Sequence, residues 1–548
     1  MKPIIYQVFT RLFGNTNTNR VPGGTLEQNG SGKFNDFTPA VLRRIRQLGV
    51  THVWYTGIVR HATTTDYQAF GLPRQHAEVV KGRAGSPYAI ADYYDVDPDL
   101  AVDVDRRMEE MLALLERTHR AGMGFIMDFV PNHVAREYCS VNRPDGVADL
   151  GQEDDSTKHF SVKNNFYYCW GLPFEPEGGC GSYSECPAKA TGNDCFSNRP
   201  GKNDWYETVK LNYGIDYCDA GGRSEHFSPL PDTWVKMTDI LLFWAEKGVD
   251  GFRCDMAEMV PPAFWRYALE KVKDKYPGIC FIGEVYNPGS YREYISAGFD
   301  YLYDKVGMYD CMCAVMRGDR WASDITAQWQ STDDISVHML YFLENHDEQR
   351  IASRFLCGNP RMGIPGLVVS VLLRSNPFML YAGQEFGEPG MDREGFSGQD
   401  GRTTIFDYWS LETLCKGYYD RCRLTTDERG LEDYYKKVLN MSNREKTLRE
   451  GGFFDLMYVN PHLAEKNYAF LRHCGNELVL VVASFSAQYG SCKVFIPRHA
   501  FEWMGIEDRE TVATDLLTGH RQEVRLEADG CVDVRLEPYG AAVLKMDL

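Results

Sequence analysis

The sequence predicts a (β/α)8 TIM barrel with a small domain inserted after its third strand and an antiparallel β sandwich at its carboxyl end. Three observations predict it. Strand-like and helix-like stretches alternate from residue 4 onward, acidic side chains end several separate apolar runs, and after about residue 450 the helical pattern gives way to short alternating runs. A doubly wound open sheet is the competing architecture. Such a sheet gathers its polar groups near one switch point, whereas here they leave several separate strands.

In chain order, residues 4–9 read as a strand, Thr38 to Leu48 as a capped amphipathic helix, and Val50 to Tyr55 as the second strand. A Gly-rich and Pro-rich insertion follows and ends in Ser86-Pro-Tyr-Ala-Ile-Ala-Asp-Tyr-Tyr94. From Asp103 to Ala121 a helix carries Met108, Met111, Leu112 and Leu115 on one face, and Gly122 stops it. Phe125-Ile-Met-Asp-Phe129 is the third strand, with Val130-Pro-Asn-His133 leaving its end. Residues 134–228 break the rhythm and are rich in Gly, Asn, Pro, Tyr and Cys, which predicts a small inserted domain. Alternation resumes with a helix at Asp232 to Glu246, a fourth strand at Asp250 to Asp255 and a helix at Pro262 to Lys275. The fifth strand is Cys280 to Val285, the sixth Phe299 to Tyr303, the seventh Met339 to Glu344, and the eighth Pro377 to Tyr381, after a helix at Gly363 to Leu373. The expected domains are a barrel of residues 1–133 and 229–450, an inserted domain of 134–228 and a β sandwich of 451–548.

Composition narrows the function. A chain of 548 residues that is 43% hydrophobic can bury more than one core. With 59 Lys and Arg against 77 Asp and Glu, its net charge of -18 repels nucleic acid and anionic membrane surfaces and suits a neutral polyol. No apolar run approaches the roughly 18 residues that span a bilayer. Met1 leads straight into a strand, so a cytoplasmic protein is expected if Met1 is native, and a periplasmic or secreted one if a leader was removed. Cys254, Cys280 and Cys357 fall in predicted strands and helices, where thiols behave as small apolar groups, and this favours a reducing compartment. Cys169, Cys180, Cys186 and Cys195 are spaced like no familiar zinc site and are expected to be free.

The stretch with the most chemistry is Asp250-Gly-Phe-Arg-Cys-Asp-Met-Ala-Glu-Met259. In a strand, alternate side chains share a face, so Arg253 and Asp255 project together, and the guanidinium is expected to keep the carboxylate ionised. Cys280-Phe-Ile-Gly-Glu-Val-Tyr286 delivers Glu284 at the end of the next strand, and Tyr341-Phe-Leu-Glu-Asn-His-Asp347 delivers Asp347 behind His346. One carboxylate beside a cation, one in an apolar setting and a third nearby form the unequal set that a retaining glycosidase uses. Each part has a plainer reading, such as a structural ion pair capping a barrel strand.

Four motifs taken together, Asp128-Phe-Val-Pro-Asn-His133, Gly251-Phe-Arg-Cys-Asp255, Gly283-Glu-Val-Tyr286 and Glu344-Asn-His-Asp347, resemble the α-amylase family, glycoside hydrolase family 13. The resemblance implies hydrolysis of α-1,4-glucosidic bonds in starch-type glucans or maltooligosaccharides, with no cofactor needed for the chemistry. It implies that Asp255 attacks the anomeric carbon, Glu284 acts as acid and then base, and Asp347 clamps the ring hydroxyls. Arg253 would aim Asp255, His133 and His346 would bind hydroxyls, Tyr88 would stack on the sugar, and Tyr286 would meet the leaving side. The same mechanism fits a 4-α-glucanotransferase or a disaccharide isomerase, and an inactive binding scaffold is the non-enzymatic alternative. The family's structural calcium finds Asn132 as its one candidate ligand here, but Lys210 stands where an Asp is usual, so that ion is doubted. Glu258 and Met259 replace a Lys-His pair and are expected to alter how a sugar beyond the cleavage point is held. Oligomeric state is not legible.

Overall fold

Eight apolar runs become eight parallel strands in the computed structural model, which describes residues 1–391, 394–396 and 398–548. They are β1 (Ile4–Phe9), β2 (His52–Thr56), β3 (Gly124–Phe129), β4 (Gly251–Cys254), β5 (Cys280–Gly283), β6 (Tyr301–Tyr303), β7 (Met339–Phe342) and β8 (Phe378–Tyr381). Neighbours in sequence are neighbours in the sheet, and β8 closes on β1. A strand covered by helices outside and packed side chains inside has no solvent face, which is why β1, β4, β7 and β8 are buried along their whole length and read as unbroken apolar runs.

The helices form where pattern and caps agree. Thr38 accepts the Val41 N–H at 3.3 Å and Pro39 opens the helix Pro39–Gln47, which buries Val41, Leu42 and Ile45. Asp232–Glu246 and Pro262–Lys275 keep the expected bounds. The long helix expected from Asp103 begins as a single turn of 3-10 helix capped by the Asp103 side chain and becomes α-helical at Arg107–Arg120. Gly363–Leu372 is buried at every position, because barrel strand β7 lies on one side of it and the carboxyl-terminal sheet on another. No helix among the described residues is long and apolar enough to cross a membrane.

The carboxyl-terminal sheet has six antiparallel strands in the order Gly452–Asp455, Asn467–Cys474, Glu477–Ser484, Ala541–Asp547, Arg509–Asp515 and Arg521–Leu526. A two-stranded sheet, Gly490–Ile496 with Gly530–Leu536, packs against it. Period-two burial is plain in the last of these, where Val532, Val534 and Leu536 point inward. Arg472 ties the two halves of the molecule, donating to the Leu372 carbonyl at 2.8 Å.

Two long excursions leave the carboxyl ends of β2 and β3. The first contains a ribbon that the sequence pattern did not predict, Val59–His61 paired with Ile90–Val96. Asp92 and Asp95 interrupt its apolar run, and both are buried against cations: Asp92 against Arg60 at 3.8 Å and Asp95 against Arg107 at 2.8 Å. The second, within 134–228, is mostly irregular, and Thr208–Lys210 returns to pair antiparallel with His133–Ala135. That register sets Lys210 opposite His133 at the barrel mouth.

Candidate active site

Strand register places the expected acid and nucleophile side by side. Arg253 on β4 lies between Asp128 on β3 and Ile282 on β5, and Cys254 is level with Gly283. One residue further on, the Asp255 N–H donates to the Phe129 carbonyl at 2.9 Å and the Glu284 N–H to the Cys254 carbonyl at 3.1 Å. Asp255 and Glu284 therefore leave adjacent strands at the same height. Met256 then takes a left-handed conformation (φ 43°, ψ 42°), which is costly for a side chain of its size and turns its N–H onto Glu284 Oε2 at 2.7 Å.

Arg253 has no solvent exposure and bridges the pair. One guanidinium nitrogen donates to Asp255 Oδ1 at 2.7 Å and the other lies 2.8 Å from Glu284 Oε2. Tyr286 donates its hydroxyl to Glu284 Oε1 at 2.5 Å. Asp128, quoted in a motif but given no role, stands 3.6 Å from the same guanidinium and accepts the Trp54 indole N–H at 3.1 Å. Arg253 acts on Asp255 in the expected direction, against burial. Burial pushes the Asp255 carboxyl well up, Arg253 only partly opposes this, and the neighbouring Glu284 adds to the rise.

Asp347 keeps its side chain 37% exposed toward the pocket. Burial works against its charge, yet the His346 imidazole, 3.0 Å away, and Arg253 carry it down to about 2. His346 is gripped from both sides, by Gln7 at 2.7 Å on Nδ1 and by the Tyr88 hydroxyl at 2.5 Å on Nε2. Burial, then the Lys210 and Lys81 ammonium groups, push His133 down to about 3, so it meets a ligand as a neutral ring.

These groups surround a pocket of about 250 Å³. Asp255, Glu284, Asp347, Tyr88, His133 and Tyr286 line it. Arg253 and His346 are buried behind these residues, Arg253 against Asp255 and Glu284 and His346 against Tyr88 and Asp347. Lys81, Trp205, Glu207 and Phe406 also line the pocket and had not been expected. They lie outside the four motifs, and Glu207 stands just ahead of the segment already singled out for Lys210. Glu258, expected with Met259 to alter how a sugar beyond the cleavage point is held, is turned onto backbone: its Oε2 accepts the N–H groups of Tyr286 at 2.9 Å and Asn287 at 3.1 Å and pins the loop that carries Tyr286.

At the expected calcium position the residues do not fit a divalent cation. The Lys210 ammonium donates to Asn132 Oδ1 and lies 2.7 Å from Asp194 Oδ1 and 3.4 Å from the Met259 carbonyl, so the converging oxygens already surround a positive charge. Cys169, Cys180, Cys186 and Cys195 stand as free thiols.

Comparison with known proteins shows the family and the fold. Residues 7–416 match the family described as alpha amylase, catalytic domain. Neopullulanase 2 of Thermoactinomyces vulgaris is 20% identical over 99% of this chain and 77% of its own length. A cyclomaltodextrinase of Bacillus sp is 23% identical over 87% of this chain and 72% of its own. Among solved structures, a maltogenic α-amylase from Thermotoga neapolitana superposes with a TM-score of 0.64 at 19% identity, covering 100% of this chain and 99% of that one. An α-amylase from Geobacillus thermoleovorans, complexed with acarbose, gives 0.66 at 18% identity, covering 100% and 98%. With three strand-end carboxylates around one pocket and the family match running through the whole barrel, the chain belongs to the α-amylase family.

Proposed function

We propose that the chain is a retaining glycosidase that opens α-1,4-glucosidic bonds in starch-type glucans or maltooligosaccharides. The observation that carries this reading is the single guanidinium shared by Asp255 and Glu284 in a pocket that Asp347 also faces. Sharing one fork keeps the two carboxyls close, as in the roughly 5–5.5 Å pairing of retaining enzymes and unlike the ~6.5–9.5 Å of inverting ones. Glu284 would give its proton to the departing oxygen as Asp255 bonds to the anomeric carbon. Water, deprotonated by Glu284, would then break that bond with retention of configuration. Asp347, held ionised, would take the ring hydroxyls and offset the positive charge of the transition state. The relatives named neopullulanase, cyclomaltodextrinase and maltogenic α-amylase support the substrate class. Free thiols, four of them buried, suit a reducing compartment.

The test is to trap the intermediate. A 5-fluoro-α-glucosyl fluoride should inactivate the protein and leave its sugar on the peptide containing Asp255, read by mass spectrometry. An unlabelled protein, or a label on another peptide, would count against the mechanism. The products from maltoheptaose then separate water from sugar as acceptor, since chains longer than the starting material would mark a glucanotransferase.

A second expected result concerns the cation. The Lys210 ammonium, rather than calcium, would join the inserted segment to the barrel, so EDTA should leave Tm and turnover unchanged. Lys210→Ala should cost roughly 3 kcal/mol, because it leaves Asn132 and Asp194 without their buried partner. A Tm that drops in EDTA and returns with calcium would sink this.

A further inference from the structure

The two oxygens of Glu284 have different partners. Oε2 accepts the Met256 N–H at 2.7 Å, and an Arg253 nitrogen lies 2.8 Å from the same atom. Oε1 takes the Tyr286 hydroxyl at 2.5 Å. N–H groups only donate, so an oxygen that faces two of them has no room for a proton of its own, whereas a hydroxyl can turn and accept. The proton that Glu284 gives to a departing glycosidic oxygen therefore sits on Oε1, beside Tyr286. Burial, then Glu284, push the Tyr286 hydroxyl up, so it keeps its own proton and can serve Oε1 in either sense.

Tyr286 has to be held for this, and the chain around it does little of the holding. It is half-buried, and Asn287, Pro288 and Gly289 after it are exposed. Its backbone is fixed by Glu258, whose Oε2 accepts the Tyr286 N–H at 2.9 Å and the Asn287 N–H at 3.1 Å. Glu258 is set in turn by its own segment. The left-handed Met256 leads into the 3-10 turn Ala257–Met259, and the hydroxyl of the buried Tyr294 donates between the Glu258 and Val260 carbonyls, 3.1 Å from each. Three bonds then close a ring: Met256 N–H to Glu284 Oε2, Tyr286 O–H to Glu284 Oε1, and Tyr286 N–H to Glu258 Oε2. The ring joins the segment that follows Asp255 to the one that carries Glu284, so it fixes the aim of one carboxyl relative to the other.

We propose that Glu258 is a positioning residue for the acid: by holding the Tyr286 backbone it keeps the Tyr286 hydroxyl on Glu284 Oε1, the oxygen that carries the proton to the leaving sugar. As Asp255 bonds to the anomeric carbon and the bond from that carbon to the leaving oxygen breaks, the Oε1 proton passes to the leaving oxygen. The Tyr286 O–H then turns back to the carboxylate left behind. This rests on the glycosidase reading and adds to it the atom that acts as acid and the residue that supports it.

The experiment compares two aryl α-maltosides, one with a 4-methoxyphenyl and one with a 3,4-dinitrophenyl leaving group. Both rings fill the leaving side, so a lost contact there costs both alike, but only the weakly acidic methoxyphenol needs a proton to depart. Glu258→Ala should lower kcat/KM on the methoxyphenyl maltoside by about 10²-fold, within the range of a general acid's contribution, and on the dinitrophenyl maltoside by no more than about threefold. Glu258→Gln, whose amide oxygen can still accept both N–H groups, should recover most of the loss. Tyr286→Phe should show the same split, and adding Glu258→Ala to it should cost less than about threefold more, since the two residues act as one unit. Equal losses on both sugars, or no loss on either, would reduce Glu258 to a loop staple and overturn the proposal while leaving the glycosidase reading intact. A wild type inert on both and on maltoheptaose would overturn that reading too. If Glu258→Ala does not fold, Tyr286→Phe on the same pair decides, because a loss shared equally by both sugars would show that the hydroxyl places no proton.

Discussion

Asp255→Asn is expected to fold as the wild type does and to lose about 10⁴–10⁶-fold in kcat on maltooligosaccharides, the loss seen when a covalent nucleophile is removed. The amide matches the carboxylate in shape and can still accept the Arg253 N–H now 2.7 Å away, so Tm should shift by only a few degrees. Burial already opposes charge at this position, which limits the stability lost with it. The chemistry is another matter, because an amide oxygen does not form the glycosyl ester through which the sugar must pass. Release of reducing sugar and a thermal melt on the same sample check both halves. Turnover within tenfold of wild type would remove Asp255 from the mechanism.

Arg253→Ala should be the most damaging single change to the stability of the barrel. The guanidinium is wholly buried, pairs with Asp255 and Glu284, and lies over the Trp54, Tyr88 and Tyr303 rings at 5.2, 5.4 and 5.5 Å. Its loss would leave Asp128, Asp255 and Glu284 as neighbouring carboxyls with no cation among them, a cost of about 3–5 kcal/mol. The pH dependence has a definite sign. Arg253 is the main influence lowering Asp255, so without it burial and Glu284 act unopposed and the folded-state pKa of Asp255 rises further. A carboxyl that binds its proton more tightly folded than unfolded adds stability that is complete below its unfolded pKa, roughly 4, and is lost as pH rises through the folded value. The variant should therefore melt higher at pH 5 than at pH 8, by a wider margin than the wild type, and any residual activity should have its acid limb moved to higher pH. Arg253→Lys should keep the charge and still lose most of the activity, since one ammonium cannot fork to two carboxylates. Melts between pH 5 and 8 decide; an unchanged pH slope would show that the cation does not govern this cluster.

Much of the site was legible because it rides on strands. Asp255 and Glu284 follow buried apolar runs whose period puts them at a strand end, and parallel pairing of neighbours then places them abreast. Asp347 follows β7 in the same way. Less legible were contacts that depend on what stands in front of a residue. His346 follows a strand too, but its contacts with Tyr88 and Asp347 are set by the fold. That Glu258 takes two backbone N–H groups of the next loop has no sign in its own stretch of sequence. Of the influences on the Asp255 carboxyl, the one near cation is visible in sequence, whereas burial and the approach of Glu284, which push it up, are not.

Periodicity and end signals are short-range properties of the chain, so the sequence by itself determined the eight strands, the helices that cross between them, the antiparallel sheet after the barrel and the carboxylates at the barrel mouth. Tertiary structure alone decided which irregular segments come back to wall the pocket. Lys81 meets Glu207, and Lys210 meets Asn132, across spans of chain that carry no repeating pattern, and such pairs form only once the strands on either side have set the distance between them.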